Sequence, residues 1–404
     1  MTAGRRVVLA YSGGVDTTAC IPYLRHAMGC DYIVAMAADL GQGDELEPIR
    51  RKALLAGADD SIIIDVKERF VEEYGFRALA ANAVHELHYP LASALGRPLI
   101  AELLVDTAAR TGCDAVAHGA TGKGNDQVRM DLGIALKNPD LVILAPARVW
   151  PFTRAETIAY SETYGIPPHV SQERPWAIDL NVLGRNVEAG PLEDLDWEPT
   201  EDVRALTTAV ENAPHIAEYV DIRFERGRPT ALDGREMSPF DLVQRLNERA
   251  GAHGIGRIDM LENRVVGVLS RELYEAPAMT VLLAAHAELE TLVLPPEVLT
   301  EKRKLDTVYG RLVYDGFWHG PLRAALDAFV EHTQQAVTGT IRMKLLAGKA
   351  VTVGRSAPRP LYQKALVTYG SGSRFDQTSA TGFIDLFGLS ARTWAELQQS
   401  APGE

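Results

Sequence analysis

The run Ser12-Gly13-Gly14-Val15-Asp16-Thr17 most restricts what this chain can fold into. It stands directly after the apolar stretch VVLA at 7–10 and directly before a helical pattern in which Ile21, Leu24 and Met28 share one face. Two adjacent glycines let a backbone turn sharply and aim successive N–H groups at one anion. A helix that starts there adds partial positive charge, so a polyphosphate is the natural guest. Ser12 and Thr17 can donate hydroxyl hydrogen bonds, and Asp16 can hold a magnesium ion on the phosphates. The plain alternative is a strand–turn–helix connector, because GG turns are common. No GxxxxGK[ST] pattern occurs, so this is not a Walker loop. Pro22 is awkward in the helix: it must sit in the first turn or kink it.

Strand and helix patterns alternate onward. Strands are expected at 32–36, 61–65, 114–117 and 141–144, with helices from about 45 to 55, at 101–110 and at 154–164. This alternation predicts an α/β fold with a doubly wound parallel sheet, which binds ligands at the carboxyl ends of its strands. Two prolines at 166–172 predict a boundary, giving a nucleotide-binding domain over 1–168 and a second, α+β domain over 169–360. In the second domain, strands are expected at 218–224, 264–270, 280–283, 340–345 and 350–353, and helices at 239–250 and 321–337. A C-terminal extension over 361–404 shows few periodic signals.

The formal net charge of -13 opposes non-specific attraction to nucleic acid or an anionic membrane. Cys20, Cys30 and Cys113 form no CxxC pair and no metal-like spacing with histidine, so reduced thiols are expected. No apolar run approaches the ~20 residues needed to span a bilayer, and a cytoplasmic location is the default.

The second chemical signal follows the strand expected at 114–117: His118-Gly119-Ala120-Thr121-Gly122-Lys123-Gly124-Asn125-Asp126-Gln127-Val128-Arg129. Three glycines bring backbone close to a ligand, while Thr, Asn, Asp and Arg supply convergent polar groups. A solvated loop is the alternative.

SGGVDT resembles the pyrophosphatase loop of the N-type ATP pyrophosphatases, which cleave ATP to AMP and pyrophosphate. Among them, HGATGKGNDQVR at 118–129 resembles the signature of argininosuccinate synthases. ADLGQG at 38–43, Arg97-Pro98-Leu99-Ile100, GRIDMLENRVVG at 256–267, VTGTIRMKL at 337–345 and VGRSAPRPLY at 353–362 resemble the same family. The resemblance implies that ATP adenylates the ureido oxygen of citrulline and that aspartate then displaces AMP. It implies ATP binding by Ala10, Tyr11, Ser12, Gly13, Gly14, Val15, Asp16, Thr17, Thr18, Ala38 and Gly119. Thr121, Asn125 and Asp126 match aspartate positions, and Tyr89, Asn125, Arg129, Glu262 and Tyr274 match citrulline positions. Ser12, Asp16 and Asp126 would carry the chemistry, with Mg2+ on Asp16, and a homotetramer is implied, with the C-terminal segment reaching a neighbour. Without the resemblance, Tyr89 and Tyr274 read as core aromatics and Glu262 as a solvated charge.

Three positions depart from the family: Ala94, Ala177 and Asn186 stand where it has citrulline-contacting serines. Each lost hydrogen bond is worth ~1 kcal/mol. Three such losses weaken citrulline by roughly two or more powers of ten, unless water or Asn186 compensates. The readings left open are therefore an argininosuccinate synthase, a related ligase that joins aspartate to another carbonyl or ureido acceptor, and a non-catalytic ATP-binding regulator.

Overall fold

The computed structural model describes residues 4–43, 46–150, 153–164 and 176–399. The boundary expected at 166–172 and the helix start expected at Glu45 lie outside the described residues. Two compact units form, Met1–Pro358 and Arg359–Glu404.

In the first unit, five parallel strands build one sheet: β1 Arg5–Ala10, β2 Cys30–Asp39, β3 Asp60–Asp65, β4 Ala115–Ala117 and β5 Val142–Leu144. Their order is β3-β2-β1-β4-β5. Val7, Val8 and Leu9 are fully buried because helices cover both faces of the central strand. The chain winds outward from β1 in one direction and then restarts on the other side at β4. The loops leaving these two strands therefore flank the switch point, where an open α/β sheet leaves a crevice.

The helix after the glycine loop is Val15–His26, and Met28 falls beyond it. Pro22 sits inside this helix rather than in its first turn, its lack of an N–H tolerated within a buried face formed with Ile21 and Leu24. The helix expected at 101–110 is Ala92–Thr111. It starts next to Leu91, whose φ of 65° turns the chain into it.

The rest of the unit carries two antiparallel sheets. One is β10-β9-β8-β13-β14, from Glu218–Glu225 (β8), Arg228–Leu232 (β9), Arg235–Glu236 (β10), Gly339–Leu346 (β13) and Lys349–Ser356 (β14). The other is β11-β12-β7-β6, from Ala177–Asn181 (β6), Gly184–Glu188 (β7), Arg257–Asn263 (β11) and Leu269–Glu275 (β12). Residues 264–268, expected within a strand, are instead the turn joining β11 to β12. Arg264 N–H bonds Val268 O at 2.9 Å, and Gly267 takes a φ of 89° that lets the chain reverse. The run 280–283, also expected as a strand, lies in the helix Pro277–Val293. That helix buries Val281, Leu282, Ala285 and Leu289, and a helix buried on most sides loses its polar stripe and mimics a buried strand. The helix Pro296–Tyr314 was not anticipated.

The second unit has helices Lys364–Val367, Ser379–Phe387 and Leu389–Gln399, none with a buried residue. Phe383, Ile384, Leu386, Phe387 and Trp394 are exposed in it. Among the described residues, no helix is long and apolar enough to cross a membrane.

Candidate functional site

The glycine loop is held open by its own hydroxyls. Gly13 has a φ of 77°, a conformation that side chains resist. Ser12 Oγ accepts the Gly14 N–H at 3.3 Å and meets Thr17 Oγ1 at 3.0 Å. Thr18, almost fully buried, donates to Gly14 O at 2.6 Å and contacts the Tyr11 hydroxyl at 3.0 Å. Lys52 Nζ donates to Gly13 O at 2.6 Å, fixing the loop from the neighbouring helix. Gly14 caps the Val15–His26 helix, and Asp16 lies in its first turn. The β4 loop presses against this turn: a Cβ on Gly119 would stand 3.0 Å from Thr17 Cγ2.

Between these loops lies a cavity of about 630 Å³. Of the ATP candidates, Ala10, Tyr11, Ser12, Gly14, Val15, Asp16, Thr17, Ala38 and Gly119 line it, while the buried Thr18 bonds the loop at Gly14 O. Asp126, Ala177 and Asn186 reach the same cavity from other elements, with Arg97, Asp179 and Glu188. Arg97 Nη2 lies 2.8 Å from Asp126 Oδ2 and 2.9 Å from Asp179 Oδ2. Burial alone would raise the Asp126 carboxyl, but Arg97 and Arg129 overcome it and hold the group down at about 2. Asp126 is therefore a fixed anion at the cleft wall.

A second polar cluster adjoins Asp126. The Tyr89 and Tyr274 rings stack with centroids 3.8 Å apart. The Tyr274 hydroxyl donates to Glu262 Oε2 at 2.6 Å, and the Tyr314 hydroxyl donates to Glu262 Oε1 at 2.6 Å. Asn125 Nδ2 donates to the Tyr314 hydroxyl at 2.8 Å. Arg129 donates from Nε to Tyr314 O at 2.8 Å and from Nη1 to Asp126 Oδ1 at 2.9 Å, which leaves its buried Nη2 without a partner among the described residues. Tyr89, Asn125, Arg129, Glu262 and Tyr274 thus come together, as does the buried Ala94, whose N–H donates to the Tyr89 hydroxyl at 3.3 Å beside that of Ser93 at 2.8 Å. Thr121 does not join them; it is exposed on the β4 loop. Glu262 is 2 % exposed, the opposite of a solvated charge.

Residues 6–167 match the family model described as arginosuccinate synthase N-terminal HUP domain, and residues 176–394 match the arginosuccinate synthase C-terminal domain. The chain belongs to the argininosuccinate synthase family. It is similar to the argininosuccinate synthase of Thermosynechococcus vestitus, 56 % identical over 98 % of this chain and 99 % of the relative. The argininosuccinate synthase of Synechococcus elongatus is 54 % identical over 99 % and 100 %, and that of Nostoc punctiforme 52 % over 98 % and 99 %.

Against that family background, the three departures occupy different surroundings. Ala94 is fully buried, Ala177 is exposed on the cleft wall, and Asn186 pairs in register with Tyr274 on β12 and with Asp179 on β6. The buried Asn186 Oδ1 has no donor among the described residues, so this carboxamide keeps an acceptor for a ligand. Sequence reasoning passed over Tyr314, Arg97, Asp179 and Glu188. Arg97 lay inside a quoted family stretch, whereas Tyr314 carries no motif and is brought in only by the end of its helix.

Glu188 and Glu272 share Arg264 Nη2, which lies 2.7 Å from Glu272 Oε1. Burial, and next the facing Glu188 carboxylate, push Glu272 up to about 7 against Arg264 and Ser270. A carboxyl raised on folding is protonated in both states at low pH. It destabilises the fold increasingly as pH climbs from its unfolded value, about 4.3, toward its folded one. Glu272→Gln is accordingly expected to gain stability relative to the parent as pH rises from about 4.5 to 7. Urea titrations at pH 5 and pH 8 check this, and a stability gap that stays constant or shrinks with pH contradicts it.

Proposed function

We infer that this chain is an ATP-dependent ligase that joins citrulline to aspartate, yielding argininosuccinate, AMP and pyrophosphate. The observation that carries the reading is the pairing of a phosphate-type loop at the β1/β4 switch point with a buried cluster holding one carboxylate and one guanidinium NH2 group without a partner among the described residues. Arg129 Nη2 suits the carboxylate of an amino acid, and Glu262 its ammonium. The N–H groups of residues 12–14 and the helix start suit the phosphates of ATP.

The chemistry needs positioning more than a protein nucleophile. The ureido oxygen attacks the α-phosphorus and pyrophosphate leaves; the aspartate amine, having lost a proton, then attacks the ureido carbon and AMP leaves. Asp16, Ser12 and Thr17 offer hard oxygen donors next to the phosphate loop, which fits magnesium, an ion that takes one or two protein carboxylates and completes its shell from phosphates and water. When bound there it would offset charge on the departing pyrophosphate. Asp126, an anion in the cleft, suits the ammonium of aspartate, with Thr121 and Asn125 as its further partners. Tyr89, Tyr274, Ala94, Ala177 and Asn186 would enclose citrulline, Asn186 supplying an acceptor where the family has a hydroxyl. No specific feature of the pocket favours another acceptor.

We also propose a cytoplasmic homotetramer. The three free, buried cysteines fit a reducing compartment, and the uncovered apolar side chains of Arg359–Glu404 fit burial against another copy. Light scattering on the full chain is expected to give four times the 44.0 kDa protomer mass; a monomer mass contradicts the tetramer. For the activity, mass spectrometry should find argininosuccinate when ATP, magnesium, aspartate and citrulline are all present. Its absence, from protein that binds ATP, would mean that the acceptor is not citrulline.

A further inference from the structure

We propose that Tyr314 is a positioning residue for the acceptor substrate, its hydroxyl orienting the Glu262 carboxylate and the Asn125 carboxamide toward citrulline; this rests on the ligase reading above. Tyr314 ends the helix Pro296–Tyr314 and is 2 % exposed. Two residues on, Gly316 takes a φ of 90°, and a Cβ there would stand 2.9 Å from Arg129 Cα. The chain therefore turns directly against Arg129, and only a residue without a side chain fits that approach.

The direction of each hydrogen bond follows from the partners. Val265 N–H donates to Asn125 Oδ1 at 2.8 Å, so the NH2 of Asn125 faces the Tyr314 oxygen, 2.8 Å away. The Tyr314 oxygen thus accepts from Asn125 and has a single proton to give. Two acceptors compete for it: Glu262 Oε1 at 2.6 Å and the Asn263 carbonyl at 3.2 Å. The shorter bond to a carboxylate is the stronger one. Tyr274 gives its proton to the other oxygen, Oε2, at 2.6 Å. Each oxygen of Glu262 then holds one tyrosine donor; Oε1 also accepts from Asn125 Nδ2 at 3.4 Å, so Oε2 keeps the freer lone pair for a ligand ammonium.

The ring contributes separately. It stacks on His85 with centroids 3.4 Å apart and planes 2° apart, and the Arg129 guanidinium lies 4.7 Å from its centroid. His85 in turn pairs backbone to backbone with Tyr89, at 2.8 Å and 3.0 Å. One side chain therefore touches Asn125, Arg129 and Glu262, and reaches Tyr89 through a single intermediary. The Tyr314 hydroxyl has a backbone carbonyl within reach at Asn263 and gives its shortest bond to the Glu262 carboxylate instead.

Tyr314→Phe keeps the ring contacts and removes the orienting hydroxyl. The expected result is a citrulline KM raised about tenfold, with kcat and the ATP KM within about twofold of the parent. A citrulline KM within twofold of the parent overturns the proposal, as does an equal rise in the ATP and citrulline KM values. The second measurement compares Tyr314→Phe in the parent and in a Glu262→Gln background. Because the residue acts through Glu262, its effect should fall below about threefold in that background; two factors that simply multiply overturn the proposal. A parent protein without citrulline-dependent turnover removes the ligase reading and this inference together. A parent that turns over citrulline while Tyr314→Phe is indifferent removes the inference alone.

Discussion

Arg129→Ala is expected to lower kcat/KM for citrulline by about two to four powers of ten while changing the ATP KM by less than about threefold. A charge-assisted hydrogen bond is worth about 1.5–3 kcal/mol, and two such bonds to a carboxylate correspond to that loss at about 1.4 kcal/mol per tenfold. Arg129 is placed for this by three contacts: Asp126 on Nη1, Tyr314 O on Nε, and the Tyr314 ring beneath the guanidinium. Among the described residues Nη2 has no partner, and it is buried. Arg129 is held by Asp126 and Tyr314, on elements other than the loop at residues 12–17, so the loss should be selective. Steady-state kinetics with each substrate varied in turn checks it, with Arg129→Lys as a variant that keeps the charge but not the fork. A citrulline efficiency within a factor of three of the parent, in folded protein, contradicts the assignment.

The second large effect concerns stability. Lys302 is fully buried, with Nζ 2.8 Å from Asp306 Oδ1 and 3.1 Å from Glu290 Oε1. Asn82 donates to Glu290 Oε2 at 2.7 Å and to Asp306 Oδ2 at 3.1 Å, and Gln334 donates to Glu290 Oε1 at 2.7 Å. His286 closes the network between Asn82 Oδ1 and Gln334 Oε1, and burial lowers its pKa. Lys302→Met strands two carboxylates without their cation, which is expected to cost about 3–5 kcal/mol in urea unfolding. Adding Glu290→Gln and Asp306→Asn should restore most of that loss, because the uncompensated charges are gone. A loss below about 1 kcal/mol for Lys302→Met contradicts this view of the network. The network also bears on the site, since the helix that carries Lys302 and Asp306 ends at Tyr314.

How far the sequence was legible follows from the range of the forces involved. The loop at residues 12–17 and the strands of the parallel sheet were readable because glycine conformation, apolar runs and turn positions are local properties. The segment 280–283 was misread because TVLL looks alike in a buried helix and a buried strand. The turn at 264–268 was misread because Val265, Val266 and Val268 favour strands, while Gly267 decides the reversal. The family resemblance brought Tyr89, Arg129, Glu262 and Tyr274 onto the page, and they do converge. Spacing alone could not have joined them, since the pairing of β11 with β12 brings Glu262 to Tyr274 while Tyr89 and Arg129 arrive from other elements. Tyr314 and Glu188 stayed invisible for the same reason: nothing near them in the chain announces a site.

The most direct test of the central claim uses citrulline labelled with 18O at the ureido oxygen, incubated with the purified full chain, ATP, magnesium and aspartate. If that oxygen attacks the α-phosphorus and leaves with AMP, the phosphate of the AMP formed carries the label, one AMP per argininosuccinate. AMP without label, or label retained in the condensed product, would contradict adenylation of citrulline in this cleft.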